Sequence, residues 1–394
     1  MITRRGFVVG AGAAASLAPA RASQASGWVG GFDIGNATMG THFTNDPLLS
    51  EASVASTRRA ADAYRDLAAQ GGWPQADWVS AFKLGSRHPQ IAQLRRRLTM
   101  ENDLNQAYAS GDVFDSFVDA AVRRFQVRHG LAVDGAVGPE TLAAMNEPAG
   151  SKALQLELNI PRIASELATE ARYICVNIPS AELELVEEES VVERHPTIVG
   201  RPDRATPLLT SAIYEVNFNP YWTVPASIVR KDLIPAIRSD PTYLERMSMR
   251  IFDHDWDEVS PTSIDWNGDE ALNYIFRQDP GADNALGRVR INFANDHAVY
   301  LHDTPQPGLF GDASRFHSSG CIRVQRIPEF VAWLLRETPG WSLTQVRAML
   351  TNGQRKDVRL AREIPVHFVY ITAWSAPDLT SNFRDDVYGL LSKA

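Results

Sequence analysis

The 394-residue sequence has only two cysteines, Cys175 and Cys321, too few for a disulfide framework. Positive charge is not in excess either. A formal charge of −8 and an isoelectric point near 5.6 argue against a general nucleic-acid binder. After the N-terminus no apolar run reaches the roughly 18 to 20 residues that span a bilayer, so no transmembrane anchor is expected. The nine histidines show no metal-ligand spacing, and neither a metal nor another cofactor is expected. His42, His88, His129, His195, His254, His297 and His367 read as surface or hydrogen-bonded core residues, and His317 as a bystander.

What is present is ordinary globular material, 44% hydrophobic and 22% charged, in a chain long enough for two or three domains. The N-terminus carries Thr3-Arg4-Arg5-Gly6-Phe7-Val8-Val9, then a Gly/Ala/Val-rich run and the small-residue site Ala20-Arg21-Ala22. These predict a twin-arginine export signal over 1–22 and, with no lipobox cysteine, a soluble periplasmic mature protein. Residues 23–83 read as an arm and a helical scaffold, with a helix over Ala52–Gln70 stopped by Gly71-Gly72-Trp73-Pro74.

Residues 84–147 form a module of their own. Gly85 opens it; Ile91, Leu94 and Leu98 give one helical face, and Phe117, Ala121, Val122 and Phe125 a second. Pro139 suits the first turn of a third helix running to Met145. A linker or scaffold helix is expected over 148–171. From Arg172 the period changes to two, with strands over Tyr173–Ile178, Ala181–Val186, Val191–Val199, Thr210–Asn217, Arg288–Phe293, Ala298–His302 and Val366–Thr372. Cys175 falls inside the first as a buried strand residue. The expected class is multidomain α+β, with a β-rich sandwich over 172–394. An insertion at 226–279, with a helix over Ser227–Arg238, reads on its residues alone as a satellite layer of the core. Helices are also expected over Pro328–Arg336 and over Leu343–Leu350, the latter capped by Ser342.

The chemistry concentrates in HDTPQPGLFGDASRFHSSGCIR, from His302 to Arg323, with the histidine nineteen positions before Cys321. An unperturbed thiol, with a pKa near about 8.5, needs a base or positive field to act as a nucleophile at neutral pH. His302 could supply the base. Tyr300, two residues earlier on a strand, shares the face of His302.

Ser318-Ser319-Gly320-Cys321-Ile322-Arg323 after His302 resembles the signature of the YkuD-type L,D-transpeptidases. Ser319 and Arg323 stand where many members have His and Asn, a form similar to the large periplasmic YcbB-like branch. Further likenesses to that branch are Val176-Asn177-Ile178-Pro179, Val199-Gly200-Arg201, Thr206-Pro207, Asn219-Pro220-Tyr221-Trp222-Thr223-Val224-Pro225 and Asn284-Ala285-Leu286-Gly287. The 84–147 module resembles the three-helix PG_binding_1 peptidoglycan-binding domain through FQ, GL, DG and VG at the family spacing.

The resemblance implies a β-rich YkuD-type catalytic domain, a small three-helix wall-binding domain and a helical scaffold. It also implies, as the alternative to a satellite layer, that the 226–279 insertion is a cap on the cleft. It implies Cys321 as nucleophile and His302 as base, oriented by the backbone carbonyl of Asp303; a triad through the Asp303 carboxylate is the alternative. Gly320 and Cys321 N–H groups, with Ser319 and Ser318 nearby, are candidates for the oxyanion, and Gly320 would let substrate approach closely. Arg323 is either a partner for a substrate carboxylate or a structural ion pair. Trp222 lines the cleft or belongs to the core.

The implied reaction uses two peptidoglycan stem tetrapeptides, donor and acceptor. It passes through a cysteinyl thioester, releases D-alanine and joins two diaminopimelate residues. Carbapenems and penems are the implied inhibitors. L,D-carboxypeptidase action, attachment of a protein to peptidoglycan, and a non-catalytic wall-binding scaffold are the alternatives.

Overall fold

The computed structural model describes residues 44–77 and 81–391. The expected export segment 1–22, the arm to 43 and His42 lie outside the described residues. The first described helix, α1 (Glu51–Ala69), begins where the Ser50 hydroxyl accepts a hydrogen bond from Ser53 N–H at 3.1 Å. It stops at Gly71 and Gly72, both at positive φ. Trp73 does more than follow a terminator. Its buried indole donates to the Glu147 carbonyl at 3.1 Å and lies 3.6 Å beneath the Arg97 guanidinium, fastening the scaffold to the next module.

That module holds α2 (Ile91–Met100), α3 (Ser116–Arg128) and α4 (Pro139–Asn146), with Pro139 in the first turn as its fixed φ favours. Ile91, Leu94 and Leu98 are fully buried. On α3 the buried face is Val118, Ala121, Val122 and Phe125, so the expected face was one residue out at its start. Phe117 is 48% exposed and stacks on Tyr108 at 4.0 Å between ring centres. The reason is the cap: Asp115 accepts from Phe117 and Val118 N–H, which makes Ser116 the first helical residue and turns Phe117 outward. α5 (Ala149–Ser165) then packs along α1 through Leu156 against Ala60 and Ala61.

The β-rich part begins with β1 (Arg172–Asn177), β2 (Glu182–Glu187), β3 (Ser190–Gly200) and β4 (Leu209–Phe218). Between β4 and the rest of the main sheet lie β5 (Trp222–Thr223), α6 (Ala226–Ile228), a π turn at Val229–Leu233, α7 (Ile234–Ser239), α8 (Tyr243–Arg246), β6 (Met249–Phe252) and β7 (Ile275–Gln278). These build a small β5-β7-β6 sheet with its own apolar core, which includes Val229, Leu233, Ile251 and Phe276. The chain returns through β8 (Val289–Phe293), β9 (Leu301–His302), β10 (Phe316–Ser318), β11 (Ile322–Val324), α9 (Ile327–Leu334), α10 (Leu343–Asn352), β12 (Lys356–Val369), β13 (Ala373–Ser375) and β14 (Ser381–Phe383).

The main sheet runs β10-β3-β11-β9-β8-β4-β12-β1-β2, and β2 also pairs with β3. The expected β-rich domain therefore takes the form of one sheet curled on itself into a barrel-like ring. Its inner face gathers Val216, Val289, Ile291, Leu301, Ile322 and Val324, with Phe330 and Val331 of α9. β12 begins ten residues before the expected Val366, because a register shift between Arg359 and Ile364 breaks the alternation that marks a strand. The end of the chain folds back: β13 and β14 pack on α1 and α5, and the Tyr388 hydroxyl donates to the Gly200 carbonyl at 2.6 Å.

Candidate active site

Cys321 and His302 sit on neighbouring strand ends. β9 and β11 are parallel, with Leu301 beside Ile322 and His302 beside Arg323. Leu301 and Ile322 face the ring's core, so His302 and Arg323 face the other way. Cys321, partly buried, packs against both the ring core and the small-sheet core. Tyr300 lies on the side of His302 as expected, its ring edge-on to the imidazole at 5.7 Å.

The loop before Cys321 is held by its own hydroxyls and by residues 200–206. Ser318 Oγ donates to the Cys321 carbonyl at 2.5 Å and accepts from Gly320 N–H at 3.1 Å. Thr206 Oγ1 donates to the Gly320 carbonyl at 2.9 Å and accepts from Gly200 N–H at 2.9 Å. A Cβ on Gly200 would meet the Arg204 carbonyl oxygen at 2.2 Å, so only glycine lets this loop close so tightly. Gly320 is required to be glycine by its backbone conformation. Its φ is +114°, while a Cβ there would find only ordinary contacts. Its N–H, already given to Ser318, is not free for an oxyanion; the Cys321 N–H has no acceptor among the described residues.

Three other site residues find different partners from those their types suggest. Ser319 Oγ accepts from Arg204 at 2.8 Å, and Arg204 forks onto Asp232 of the π turn at 2.5 and 2.9 Å. Nothing in the sequence marked Arg204 as a link between the Cys321 loop and the insertion, since its partners are 28 and 115 residues away. Trp222 is in the small-sheet core, and its indole donates to the Tyr300 hydroxyl at 3.2 Å. The Asp303 carboxylate accepts from Arg288 N–H at 2.9 Å, an arrangement that suits the backbone role better than the triad.

Burial dominates the electrostatics. It pushes the His302 imidazole down to about 3, Arg323 and Arg290 push the same way, and the backbone of Asp303 and Leu286 pulls back only in part. Although those backbone groups favour the charged ring, Nδ1 makes no hydrogen bond of good geometry. Burial also pushes the Cys321 thiol up, against the backbone and hydroxyl of Tyr300 and the charges of Arg290 and Arg323. Both shifts favour the uncharged forms, a neutral imidazole and a neutral thiol, at pH 7. Arg323 has no carboxylate partner among the described residues, so the structural ion pair considered for it is not formed.

The other candidates are peripheral. Cys175 is fully buried in β1, and its thiol is pushed well up by that burial. His317 pairs with Asp312 at 3.1 Å on the surface. A cavity of about 720 Å³ lies between the helical module and the ring, lined by Lys152, Arg315 and Arg384 among others, and it touches neither Cys321 nor His302. Among the described residues no helix is long and apolar enough to cross a membrane.

Residues 171–346 match the family described as L,D-transpeptidase catalytic domain, YkuD, and residues 87–145 match PG_binding_1, described as "Putative peptidoglycan binding domain". A Haemophilus influenzae protein named "Putative L,D-transpeptidase" is 36% identical over 217 residues, 55% of this chain and 44% of that protein. The N-acetylmuramoyl-L-alanine amidase CwlM of Mycobacterium tuberculosis is 31% identical over 107 residues, 24% of this chain and 26% of that protein. The chain thus spans less than half the length of these curated relatives. An L,D-transpeptidase structure from Stackebrandtia nassauensis aligns over 73% of this chain and 94% of its own at 14% identity, with a TM-score of 0.26, a likeness too slight to bear on function. Residues 171–346, which include His302 and Cys321, thus match the YkuD L,D-transpeptidase catalytic-domain family, and residues 87–145 match the PG_binding_1 family.

Proposed function

We propose that this protein is a periplasmic L,D-transpeptidase that cross-links peptidoglycan stems through a thioester on Cys321. The observation that carries the reading is the placement of Cys321 and His302 on adjacent strand ends of a YkuD-family domain, beneath a separate insertion core. The Cys321 thiol attacks the carbonyl between diaminopimelate and the terminal D-alanine while His302 takes its proton. His302 returns that proton to the departing amine, D-alanine leaves, and the acyl group stays on sulfur. The side-chain amine of a second stem then attacks, His302 accepts its proton, and the thiolate recovers a proton as the cross-link forms.

A neutral pair suits this sequence, because His302 gains its charge only as the oxyanion develops. The Cys321 N–H, which has no acceptor among the described residues, is the donor for that oxyanion, and the Tyr300 hydroxyl faces the Cys321 sulfur. The Asp303 backbone serves to orient His302, and Ser318 and Ser319 hold the loop rather than touch substrate. The segment over 226–279 acts as a cap on the cleft, pinned to the Cys321 loop by Arg204. The domain division follows: wall binding by 84–147, support from 23–83 and 148–171, catalysis by 172–394. The wall-binding module favours peptidoglycan as substrate, and carbapenems or penems should acylate Cys321.

The test is product analysis with purified disaccharide tetrapeptide. Dimers with free D-alanine are expected from the wild type, and both should disappear in Cys321→Ala, a loss of at least about a thousandfold. Tripeptide without dimer would make it an L,D-carboxypeptidase, protein-linked stems would make it a protein-attachment enzyme, and persistence of D-alanine release in the variant would remove the mechanism.

A further inference from the structure

One cross-strand row passes through the site. Asn217 on β4 is in register with Arg290 on β8, Arg290 with His302 on β9, and His302 with Arg323 on β11. Residues in register on neighbouring strands point to the same face. The strand neighbours of Arg290, His302 and Arg323, namely Val289, Ile291, Leu301, Ile322 and Val324, all belong to the ring core. Arg290 and Arg323 therefore flank His302 on the outer face, one on each side.

Neither guanidinium is answered. Among the described residues neither forms an ion pair or a side-chain hydrogen bond, and the Nε of each is buried without a partner. Arg290 lies over the Tyr300 ring at 4.4 Å, which orients it but leaves its charge free. The Nε atoms of Arg204 and Arg250 make no hydrogen bond either, but each of those guanidiniums is ion-paired, Arg204 with Asp232 and Arg250 with Asp279 at 2.8 Å. Two partly buried cations beside one imidazole repel each other and oppose its protonation, and an anion between them removes both penalties. Arginine is the side chain whose planar fork matches a carboxylate.

The peptide undergoing reaction brings such an anion. In a stem whose last residue is the leaving group, the free carboxylate is three bonds from the scissile carbonyl carbon, about 4 Å away. We propose that Arg290 and Arg323 form a carboxylate clamp that reads the free C-terminus of the donor stem, so that only a bond to a chain-terminal residue is cleaved. This rests on the reading of Cys321 as the acyl-accepting thiol. A stem extended by one more residue, or capped as an amide, leaves the two cations unanswered and is rejected. An arginine that stabilised the carbonyl oxyanion instead would act on acid and amide alike.

The experiment compares a tetrapeptide donor ending in the D-alanine carboxylate with the same donor ending in D-alaninamide, and measures release of D-alanine or D-alaninamide by mass spectrometry. The full-length wild type is expected to prefer the acid by at least about a hundredfold in kcat/KM. In Arg290→Gln/Arg323→Gln the preference should collapse to within about threefold, and Arg323→Lys should retain part of it. Wild-type turnover of both donors within threefold overturns the clamp while leaving Cys321 in its role, and this arm needs no variant. A folded double variant, checked by circular dichroism, that keeps the acid preference also overturns it. Failure of the wild type on both donors removes the thioester reading and the clamp with it.

Discussion

At the scale of single residues, the electrostatics of Cys321 and His302 favour a neutral thiol and a neutral imidazole, unlike a preformed ion pair. Burial sets both directions, raising Cys321 and taking His302 to about 3, and the nearby guanidiniums favour the thiolate while disfavouring the imidazolium. An ion pair would be half ionised at mildly acidic pH and react with alkylating agents at a plateau from there upward. Here the thiolate is scarce below the ordinary thiol range. Alkylation of Cys321 by iodoacetamide, followed by intact mass, should therefore rise with pH through about 9 with no plateau between about pH 5 and 8. A plateau in that window would show that the ion pair exists in the free protein. Mechanism-based acylation should be fast over the same window, because attack and proton transfer occur together.

At the scale of elements, the loop bearing Cys321 borrows its shape from the 200–206 loop. Thr206 is the hinge of that support, with its hydroxyl donating to the Gly320 carbonyl and accepting from Gly200 N–H, both at 2.9 Å. Thr206→Val keeps the volume and removes both bonds from a residue only 2% exposed. It should cost about 1–3 kcal/mol in urea unfolding and lower kcat more than about tenfold with a smaller change in KM, since misplacing the nucleophile weakens attack more than binding. A change confined to stability, with kcat intact, would mean that the loop keeps its shape without Thr206. Val199-Gly200-Arg201 and Thr206-Pro207 were legible as family likenesses. Their purpose was not, because the carbonyl they serve is 114 residues away.

At the scale of the whole molecule, charge buried between modules joins the helices of the 84–147 module to the scaffold. Arg128 of α3 reaches Asp103 at 2.5 Å and Glu101 at 3.1 Å, with all three side chains nearly inaccessible. Tyr64 of α1 donates to Glu101 at 2.7 Å, and Lys152 of α5 approaches it at 3.7 Å. Burial opposes the Glu101 charge, but Arg128, Lys152 and Arg97 together hold its carboxyl well below the usual range. Arg128→Met should leave two buried carboxylates undercompensated and cost about 3–5 kcal/mol. Urea unfolding checks it, and a loss below about 1 kcal/mol would mean that water reaches the network. Arg128 itself looks like an ordinary helix arginine in the sequence, since a side chain's burial depends on which surfaces meet.

The sequence by itself determined the local and the chemical parts of this protein. Periodicity places most helices and strands, Gly71-Gly72 and Pro139 punctuate them, and the SSGC stretch with its upstream His302 carries the family resemblance, because these depend on residues near one another in the chain. Tertiary structure decided what depends on pairing at a distance. It curled the sheet into a ring, turned Phe117 outward, engaged the Gly320 N–H with Ser318, and tied Ser319 to Asp232 through Arg204. It also set Arg290 and Arg323 on either side of His302, since strand register, unlike strand propensity, is settled only when the whole ring closes around one core.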